Sequence, residues 1–517
     1  MIQLDLLASV VAFTLALYFY LNKKKSNPLD AYPLPPGPKK LPILGNLLDM
    51  PQKESWKTYD KWCRELGTDI LHLDVAGTSI VVLNTFEAAW ELLEKRSSLY
   101  SGRPRMPMLN ELMGWDFDFG FMDYGDRWRQ HRKLMHQAFH PSAAEQFRPH
   151  EMKSARRLMR RLYTKSEDII GNLRTLSGET VISIAYGIDV EGRDDPYIKM
   201  AEAGVRPLSN VVPGRYLVDT MPWLKYVPAW MPGAGFKRDA IEWKRLITEM
   251  IEAPYAAMKK NFDNGVAKAS FSLYSFGKMA DGYDPAYEED NIKCVAATMY
   301  AAGSDTTISA IASCILGLLE HPEVVKKAQA ELDAVVGNDR LPDFQDEKDT
   351  PYIHAIVKEA LRWRDVVPIA IPHYVEVDDI YNGYRIPAGT TIVPNGWAML
   401  HNEEIYPEPF EFNPDRYMKD GKLNPAVRDP GHAAFGFGRR ICPGRYMATS
   451  AIWITLSSLL AVFDIEKPLD KDGKVIEPSH EYYDGLITFP LPFQVSFKPR
   501  SKKAGELIRA SANDIYE

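Results

Sequence analysis

The chain has 517 residues, of which 45% are hydrophobic and 25% charged, and its formal net charge is −7. These values are typical of a globular protein that can bury a large core, and the negative charge gives nucleic-acid binding no support. The four cysteines are far apart and form no CxxC pair: Cys63, Cys294, Cys314 and Cys442. This spacing argues against a disulfide framework or a zinc site, and it favours a reducing compartment.

The chain begins with an apolar run over 2–21, interrupted by Asp5 and followed at once by three lysines at 23–25. Twenty helical residues span about 30 Å, the thickness of a bilayer core. The lysines place the following chain in the cytosol by the positive-inside rule. We therefore predict a single-pass membrane anchor over 1–25. A cleaved signal peptide is the alternative, but its charges would precede the apolar run and a small-residue cleavage site would follow.

Prolines at 33, 35, 36 and 38 predict a stiff connector over 26–45. We expect residues 46–500 to form one globular domain, mainly α with a small β portion, and 501–517 to form a loose polar tail. Alternating segments around Gly77 predict short strands over 69–75 and 79–84. Helical spacing of apolar residues predicts helices over 87–95, 128–139, 153–163, 240–260, 291–319, 322–336 and 352–363.

The predicted helix over 291–319 contains an unusual run, Ala-Gly-Ser-Asp-Thr-Thr, at 302–307. Gly303 inside a helix costs about 1 kcal/mol relative to alanine, so it needs a reason. Either a flat ligand approaches closely or the helix opens locally and admits water. Thr298 and Ala302 share a face with Thr306, and Ala301 lies beside them. An ordinary buried helix, with hydroxyls bonded to the preceding turn, remains the alternative.

Further along, Glu359 and Arg362 lie three residues apart and can pair on one helix face. Residues 435–444, FGFGRRICPG, then place Cys442 in a glycine-rich loop, shortly before an apolar run that begins at Ala448 and predicts a buried helix. A helix N-terminus stabilises a thiolate, and the loop N–H groups can tune a sulfur that binds a metal. A buried structural cysteine is the alternative.

The loop matches the signature F-x-x-G-x-R-x-C-x-G of the cytochrome P-450 family at all five fixed positions: Phe435, Gly438, Arg440, Cys442 and Gly444. The chain resembles this family over its globular length, because the other blocks occur in family order. These are W-x-x-x-R at Trp128 and Arg132, the acid–alcohol motif at 302–307, and E-x-x-R at Glu359 and Arg362. Arg416 follows in a segment where Asp415 and Tyr417 replace the family's glutamate and phenylalanine.

The resemblance implies the P-450 fold, haem b with Cys442 as the iron ligand, and dioxygen as the oxidant. Thr306 and Asp305 would deliver protons, and Glu359, Arg362 and Arg416 would form a structural network that holds the cysteine loop. The implied cofactor-binding residues are Trp128, Arg132, Ala302, Gly303, His373, Phe435, Gly438, Arg440 and Gly444. Among them, Trp128, Arg132, Arg440 and His373 would contact the haem propionates.

Substrate contacts carried over from the family are Thr298, Ala301, Val367, Ile369, Ala370, Leu486 and Ile487, with Trp115, Phe117 and Phe119 in a nearby loop. Nearly all are apolar, which favours a neutral lipophilic substrate. The chain lacks flavin, nicotinamide and iron–sulfur fingerprints, so electrons must come from outside it, and the resemblance implies NADPH as their source through a partner reductase. An acidic flavoprotein reductase could dock on a basic face formed by four cations: Arg129, Lys133, Arg439 and Arg445. Cytochrome b5 is a second candidate electron donor.

The sequence is similar to fungal microsomal members, which implies the endoplasmic reticulum membrane, a cytosolic catalytic domain, and oxidation of secondary metabolites, such as terpenoids or polyketides, or of xenobiotics. Two other classes stay open. One is a haem-thiolate isomerase or dehydratase, whose members usually lack the pair equivalent to Asp305 and Thr306. The other is a non-catalytic haem or lipid binder on the membrane, which would have no use for a proton relay.

Overall fold

The computed structural model describes residues 28–165, 168–190, 192–210, 216–279 and 284–512. The predicted anchor at 1–25 lies outside these residues. Eleven helices of nine or more residues occur in the described part: α1 (Ser55–Leu66), α2 (Asp126–Phe139), α3 (Arg148–Thr164), α4 (Ile169–Tyr186), α5 (Pro196–Val205), α6 (Gly235–Asp263), α7 (Pro285–Glu320), α8 (Pro322–Val335), α9 (Pro351–Trp363), α10 (Arg445–Val462) and α11 (Lys502–Ala510).

Shorter helical segments join them. Short α-helices cover Phe86–Ala89, Pro141–Ala144, Leu217–Thr220, Phe271–Phe276, Gly396–Leu400 and Gly431–Ala434. Two π-helices cover Trp90–Lys95 and Pro107–Leu112. Turns of 3-10 helix cover Pro28–Ala31, Trp115–Phe117, Glu145–Phe147, Arg206–Asn210, Pro222–Tyr226, Glu347–Asp349, Pro414–Tyr417 and Gly438–Arg440.

The strands are few and short: β1 (Ile70–Val75), β2 (Thr78–Leu83), β3 (His373–Val375), β4 (Asp379–Tyr381), β5 (Tyr384–Ile386), β6 (Thr390–Pro394), β7 (Met418–Lys419), β8 (Lys422–Leu423), β9 (Phe463–Glu466), β10 (Tyr482–Tyr483), β11 (Phe489–Pro490) and β12 (Ser496–Pro499). The main sheet has the order β1-β2-β6-β3, with β2 and β6 parallel and the other pairs antiparallel. The remaining strands form four two-stranded sheets. The mainly helical fold class with a small β portion is therefore confirmed.

The predicted strands are confirmed as β1 and β2, and every predicted helix is present with shifted ends. The prediction over 87–95 becomes a short α-helix that continues as a π-helix. Helices α1, α4 and α5 were not predicted. Helix α4 has 15 of its 18 residues buried, polar ones such as Thr175 and Glu179 among them, so its sequence lacks the one-sided apolar pattern of a surface helix.

Helix α7 runs through the centre of the fold. Its residues 292–301 belong to an apolar cluster with α4, α5, α6 and the 108–121 loop, and its residues 308–319 belong to a second cluster with α3, α8, α9 and α10. Residues 302–307 lie between the two clusters and belong to neither. Among the described residues, α7 is long and apolar enough to cross a membrane, but 67% of its most apolar window is buried inside the fold.

The proline-rich segment is part of the globular domain in its described portion. Pro36 accepts a hydrogen bond from the N–H of His72 in β1 (2.8 Å), and a Cβ on Gly37 would lie 2.0 Å from the His72 carbonyl oxygen. Pro33 likewise accepts from the N–H of Arg385 in β5 (2.8 Å). Main-chain bonds therefore fix the described part of this segment along the sheet.

The prediction of a loose tail from Ser501 is wrong for 502–510, which form helix α11. The Ser501 side chain caps the helix by accepting from the N–H of Ala504 (3.0 Å). Ala504 and Ile508 lie one turn apart and are buried against the apolar cluster of α3 and α10. Two apolar positions at this spacing are enough to dock an otherwise polar helix.

Candidate active site

The loop that carries Cys442 is a tightly turned segment at the start of α10. The N–H of Cys442 donates to the Phe435 carbonyl (2.8 Å), and Gly436 and Gly438 have φ angles of 75° and 58°. A Cβ on Gly438 would lie 2.0 Å from the Leu93 carbonyl oxygen, so glycine is required there. The π-helix of Leu93 therefore fixes the turn from one side.

The thiol of Cys442 faces several positive groups. The backbone N–H groups of Gly444 and Arg445 hydrogen-bond to it, and the guanidinium groups of Arg132 and Arg445 lie near it. Burial raises the pKa of the Cys442 thiol, and these four interactions each oppose that increase. Arg445 also donates to the Cys442 carbonyl (3.0 Å). Donors around one sulfur are the surroundings that a thiolate ligand needs.

Trp128 and Arg440 pack against each other, and each has one buried donor atom. The Arg440 guanidinium lies 4.7 Å from the centre of the Trp128 ring. Arg440 donates from Nε to Ser101 (2.8 Å) and from Nη1 to Phe119 (3.1 Å), both at carbonyl oxygens. Its Nη2 and the Trp128 Nε1 are buried, and neither has a hydrogen-bond partner within the described chain. Buried donors without an acceptor are unfavourable unless a ligand supplies one.

Arg132 lies on α2, four residues after Trp128, as the sequence predicted. Burial lowers the pKa of Arg132, and the charge of Cys442 raises it. His373, at the start of β3, is 5% exposed, and its Nδ1 pairs with the Tyr100 carbonyl (2.7 Å). Burial and the nearby Arg103 keep its pKa well below the usual value, so the imidazole is neutral. Its one N–H proton is therefore engaged with the main chain.

Arg103 is a residue that sequence reasoning missed. It is 6% exposed and its side chain lies close enough to Arg440 for the two cations to repel. Its guanidinium donates to three carbonyl oxygens, those of Gly120 (2.8 Å), Ile371 (2.8 Å) and Pro372 (2.6 Å). A single sequence does not predict these hydrogen bonds, because their acceptors are main-chain atoms.

The acid–alcohol segment lies on α7 between the two core clusters. Ala302 is exposed, although it lies in the middle of a mostly buried helix. The Thr306 hydroxyl donates to the Ala302 carbonyl (2.8 Å), as the alternative interpretation expected for hydroxyls of a helix. Burial raises the pKa of Asp305, which the nearby Arg174 lowers and Glu202 raises.

Gly303 has a different structural reason from the two that the sequence suggested. A Cβ at this position would lie 2.7 Å from the Val181 methyl carbon Cγ2 on α4. The Gly303 carbonyl also accepts a hydrogen bond from the hydroxyl of Ser177, another residue of α4 (2.6 Å). Helix α7 also remains continuous through this point. Close packing of α4 against α7 therefore explains the glycine, and a contact with the cofactor stays a prediction.

The residues present fit a haem group on three grounds. The unpartnered donors of Trp128 and Arg440 and the cationic Arg132 suit the two propionates. Ala302 lies on an accessible face of α7. The cysteine loop and the first turns of α10, residues 441–451, are half-buried or exposed, whereas 452–460 are buried. Cys442, Trp128, Arg132 and Arg440 would hold the group, and Ala302 lies on an exposed face of α7 that could border it.

Several predicted substrate residues come together. Phe117, Phe119 and Ala301 belong to one apolar cluster, and Leu486 packs against it. Trp115 belongs to the same cluster. Leu486 and Ile487 precede Thr488, whose carbonyl accepts from the Ser309 hydroxyl on α7 (2.6 Å). Thr298 is buried on α7 and donates to the Cys294 carbonyl (3.0 Å).

In the segment that follows α9, one of the predicted substrate contacts lies elsewhere. Ile369 is buried in another cluster, with Trp56 and Val393 of the sheet region, whereas Ile371 packs against the cluster of Phe119. Side chains two residues apart here point to different clusters because the chain turns between them: Ala370 has a φ of 50° and donates to the Val367 carbonyl (3.0 Å). The placement argues against Ile369 as a substrate contact and favours Ile371.

The predicted charge network is present in full. Glu359 and Arg362 are both fully buried on α9, joined by hydrogen bonds of 2.7 and 2.8 Å. Arg416 reaches the same carboxylate at 3.3 Å. The two arginines also bind five main-chain carbonyls in all, those of Leu400, Pro407, Glu408, Pro409 and Glu411. The network fixes the chain that leads toward the cysteine loop.

The candidate basic face surrounds Tyr124, which packs 4.9 Å from Trp128 between ring centres. The guanidinium groups of Arg129 and Arg439 lie 5.5 and 5.4 Å from the Tyr124 ring, and Arg439 donates to its hydroxyl (2.7 Å). Arg129, Lys133 and Arg439 are exposed. This placement brings three of the four predicted cations to the solvent, while Arg445 is half-buried beside Cys442.

Comparison with known proteins gives one consistent result. The family model for cytochrome P-450 matches residues 35–497. Cytochrome P-450 monooxygenase 98 of Postia placenta is 42% identical over 100% of this chain and 99% of its own length. Tryptamine 4-monooxygenase of Psilocybe cyanescens is 43% identical over 91% of this chain and 94% of its own length.

Proposed function

The chain belongs to the cytochrome P-450 family, and we propose that it is a membrane-anchored member that inserts one oxygen atom into a neutral lipophilic molecule. As a P-450 monooxygenase it is an oxidoreductase that uses haem iron with a cysteine ligand, dioxygen, and electrons from a redox partner. Secondary metabolism or xenobiotic oxidation is the setting we propose.

When bound, haem supplies the activation of dioxygen, with a thiolate that donates electron density to the iron. We assign the thiolate to Cys442, with the N–H groups of Gly444 and Arg445 as its hydrogen-bond donors. Trp128 Nε1 and Arg440 Nη2 would bind the propionates, because both atoms are buried donors without an acceptor in the described chain. Arg132 would add a third positive contact.

Thr306 and Asp305 would move protons to the reacting oxygen. The Thr306 Oγ1 donates its proton to the Ala302 carbonyl, so its lone pairs remain free to accept from a water molecule. The raised pKa of Asp305 makes this carboxyl a better proton carrier near neutral pH than an exposed one. Arg174 and Glu202, which are half-exposed and 4.0 Å apart, lie between Asp305 and solvent in this proposal.

The observation that carries the substrate class is the apolar character of the side chains beside the 302–307 segment. Phe117, Phe119 and Ala301 share one cluster, and Ile371 and Leu486 pack against it. Such a lining favours neutral, apolar ligands. Trp115 belongs to the same cluster, which adds a large aromatic surface.

Product formation in membranes that contain the full chain and an NADPH-dependent flavoprotein reductase tests this proposal. A panel of terpenoids, polyketides and aromatic amines, including the tryptamine for which one relative is named, would be screened by mass spectrometry. We expect an NADPH-dependent product with one added oxygen atom from a neutral lipophilic compound. Turnover that needs no NADPH would favour the isomerase or dehydratase class, and haem binding without any turnover would favour a non-catalytic binder.

The membrane location rests on the apolar run at 2–21 and the lysines that follow. We propose one pass through the endoplasmic reticulum membrane with the catalytic domain in the cytosol, where the reductase docks on the face around Tyr124. Deletion of 1–25 should move the protein from the membrane fraction to the supernatant. A truncated chain that still sediments with membranes and resists carbonate extraction would contradict the anchor.

A further inference from the structure

We propose that Glu94 is a positioning residue of the cysteine loop: its carboxylate binds the main chain at Gly438 and holds the loop in the shape that keeps the Cys442 thiolate on the haem iron. The inference rests on the proposed function, because it takes Cys442 as the iron ligand. Glu94 lies outside the sequence motifs, on the π-helix Trp90–Lys95. Its role follows from one hydrogen bond and from the packing around it.

The contact joins a carboxylate to the backbone of the loop. The N–H of Gly438 donates to the Glu94 Oε2 atom over 2.6 Å, although the two residues are 344 positions apart in the chain. A hydrogen bond with an ionised acceptor is shorter and stronger than one between neutral groups. Lys95 and Arg96, the two cations that follow, pair with Glu91 instead (2.9 and 3.1 Å). Those cations are thus engaged elsewhere, and the Glu94 carboxylate contacts the loop.

Gly438 lies in the middle of the loop that ends at Cys442, so a contact there acts on the whole turn. The N–H of Cys442 donates to the Phe435 carbonyl (2.8 Å), which closes the base of the loop. The Gly438 carbonyl accepts from the N–H of Ile441 (3.2 Å), the residue before the cysteine. Hydrogen bonds therefore connect Glu94 through Gly438 to the residue next to Cys442.

The π-helix packs closely against this part of the loop. A Cβ on Gly438 would lie 2.0 Å from the Leu93 carbonyl oxygen and 3.0 Å from the Ser97 Cβ atom. Leu93 and Phe437, the residue before Gly438, are buried in one apolar cluster. The apolar contact holds one side of the turn, and the hydrogen bond from Gly438 fixes its backbone. A side chain at position 94 must have the right length to reach that N–H group.

Two substitutions separate the length of this side chain from its charge. Glu94→Gln keeps the length and an amide oxygen that accepts from the Gly438 N–H, but it is neutral. Glu94→Asp keeps the charge, but its carboxylate is one methylene group shorter and does not reach the N–H. If the hydrogen bond positions the loop, Glu94→Asp has the larger effect. If the charge matters, Glu94→Gln has the larger effect.

The test follows the red-shifted carbon monoxide band of the reduced full-length haem protein in dilute urea, since loss of the thiolate moves this band to shorter wavelength. Glu94→Asp should lose the red-shifted band about tenfold faster than the wild type, because a hydrogen bond to a charged acceptor is missing. Glu94→Gln should stay within about twofold of the wild-type rate, because its amide oxygen still accepts. The matched control is Glu91→Asp, the same change on the same π-helix, which should keep the wild-type rate because Glu91 pairs with Lys95 and Arg96.

Hydrogen exchange on the same proteins gives a second measurement, which does not depend on the iron ligand. In Glu94→Asp, the amides of 436–442 should exchange faster than in the wild type, while those of 55–66 in α1 keep their rates. In Glu94→Gln, both segments should keep the wild-type rates. Should Glu94→Asp fail to fold, Glu94→Ala carries the test with the same expectation, because alanine has the higher helix propensity.

Three results would overturn the inference. The first is a band in Glu94→Asp that decays at the wild-type rate. The second is a faster loss in Glu94→Gln than in Glu94→Asp, which would assign the effect to the charge. The third is an equal acceleration in Glu91→Asp, or faster exchange in 436–442 and 55–66 alike, which would indicate a general loss of stability. A wild-type chain without the red-shifted band would instead contradict the proposed role of Cys442, and the exchange measurement would still decide whether Glu94 positions the loop.

Discussion

The guanidinium of Arg362 meets the carboxylate of Glu359 through two hydrogen bonds of 2.7 and 2.8 Å, and neither side chain is exposed. Arg416 adds a third contact, at 3.3 Å, and the N–H of Asn413 donates to the same carboxylate (2.9 Å). A buried charge network of this kind is fully satisfied only when every member is present.

Arg362→Ala should therefore give a protein without haem. Removal of one partner from a buried ion pair costs about 3–5 kcal/mol, because the other charge stays buried, and the chain before the cysteine loop loses its anchor. Haem content per protein and the thermal unfolding midpoint measure the effect. Arg245→Ala is the control, since Arg245 pairs with Glu242 and Glu249 on an exposed helix face and its loss should leave stability almost unchanged. Normal haem content in Arg362→Ala would contradict the structural role.

In Thr306→Ala and Asp305→Asn, a smaller share of the electrons consumed should end in product. Without the Thr306 hydroxyl or the Asp305 carboxyl, protons reach the reacting oxygen less efficiently, and reduced oxygen leaves as hydrogen peroxide. The ratio of peroxide released to NADPH consumed should rise severalfold in both variants, with haem content unchanged. Ser309→Ala is the control, because Ser309 is on the same helix but its hydroxyl binds the Thr488 carbonyl. An unaltered ratio in Thr306→Ala would remove that residue from the relay.

Glu151 should make stability fall as the pH rises. This carboxyl is 2% exposed on α3; one oxygen accepts from the Ser450 hydroxyl (2.7 Å), and the other has no partner in the described chain. Burial raises the pKa of Glu151 from 4.5 to about 8. Between these values the folded chain keeps a proton that the unfolded chain has lost, so folding becomes less favourable as the pH increases.

Thermal unfolding across about pH 5 to pH 8 checks this sign. The midpoint of the wild-type chain should fall more steeply over this range than that of Glu151→Gln, which cannot ionise. Glu242→Gln is the control, since Glu242 is exposed and its pKa is lowered by Arg245, outside this range. Parallel curves for the wild type and Glu151→Gln would show that Glu151 does not titrate in this range.

Arg129→Glu combined with Lys133→Glu should slow reduction by the flavoprotein partner at low salt. Both side chains are exposed on α2, and reversed charge repels an acidic partner. The difference from wild type should shrink at high salt, because salt screens exposed charges. Stopped-flow reduction under carbon monoxide measures the rate. An equal slowing by Lys244→Glu with Arg245→Glu, both exposed on α6, would point to net charge instead of a docking site.

Local spacing predicted residues that share one helix face. Glu359 and Arg362, three residues apart, pair directly, and Trp128 and Arg132, four apart, both lie on α2. Arg103 was missed because its partners are carbonyl oxygens of segments 17 and more residues away, and no side-chain pattern records them.

Two other differences have physical causes of the same kind. The reason for Gly303 is the Val181 side chain on another helix, which becomes visible only when the two helices are packed. Ile369 was assigned to the pocket by its position after α9, but the turn at Ala370 directs it toward Trp56 and Val393. The reason for Gly303 and the position of Ile369 both depend on tertiary packing. The spacing of residues along the chain predicts only the faces of a single helix or strand.

The central claim is that Cys442 binds haem iron through its thiolate, and the carbon monoxide difference spectrum of the reduced full-length protein tests it most directly. The wild-type chain should show the strongly red-shifted Soret band of thiolate-ligated haem. Cys442→Ala should lose that band. Cys314→Ala, which removes a buried cysteine of α7 outside the cysteine loop, should keep it. A wild-type chain without the band, or a band that persists in Cys442→Ala, would contradict the assignment of the ligand and the roles built on it.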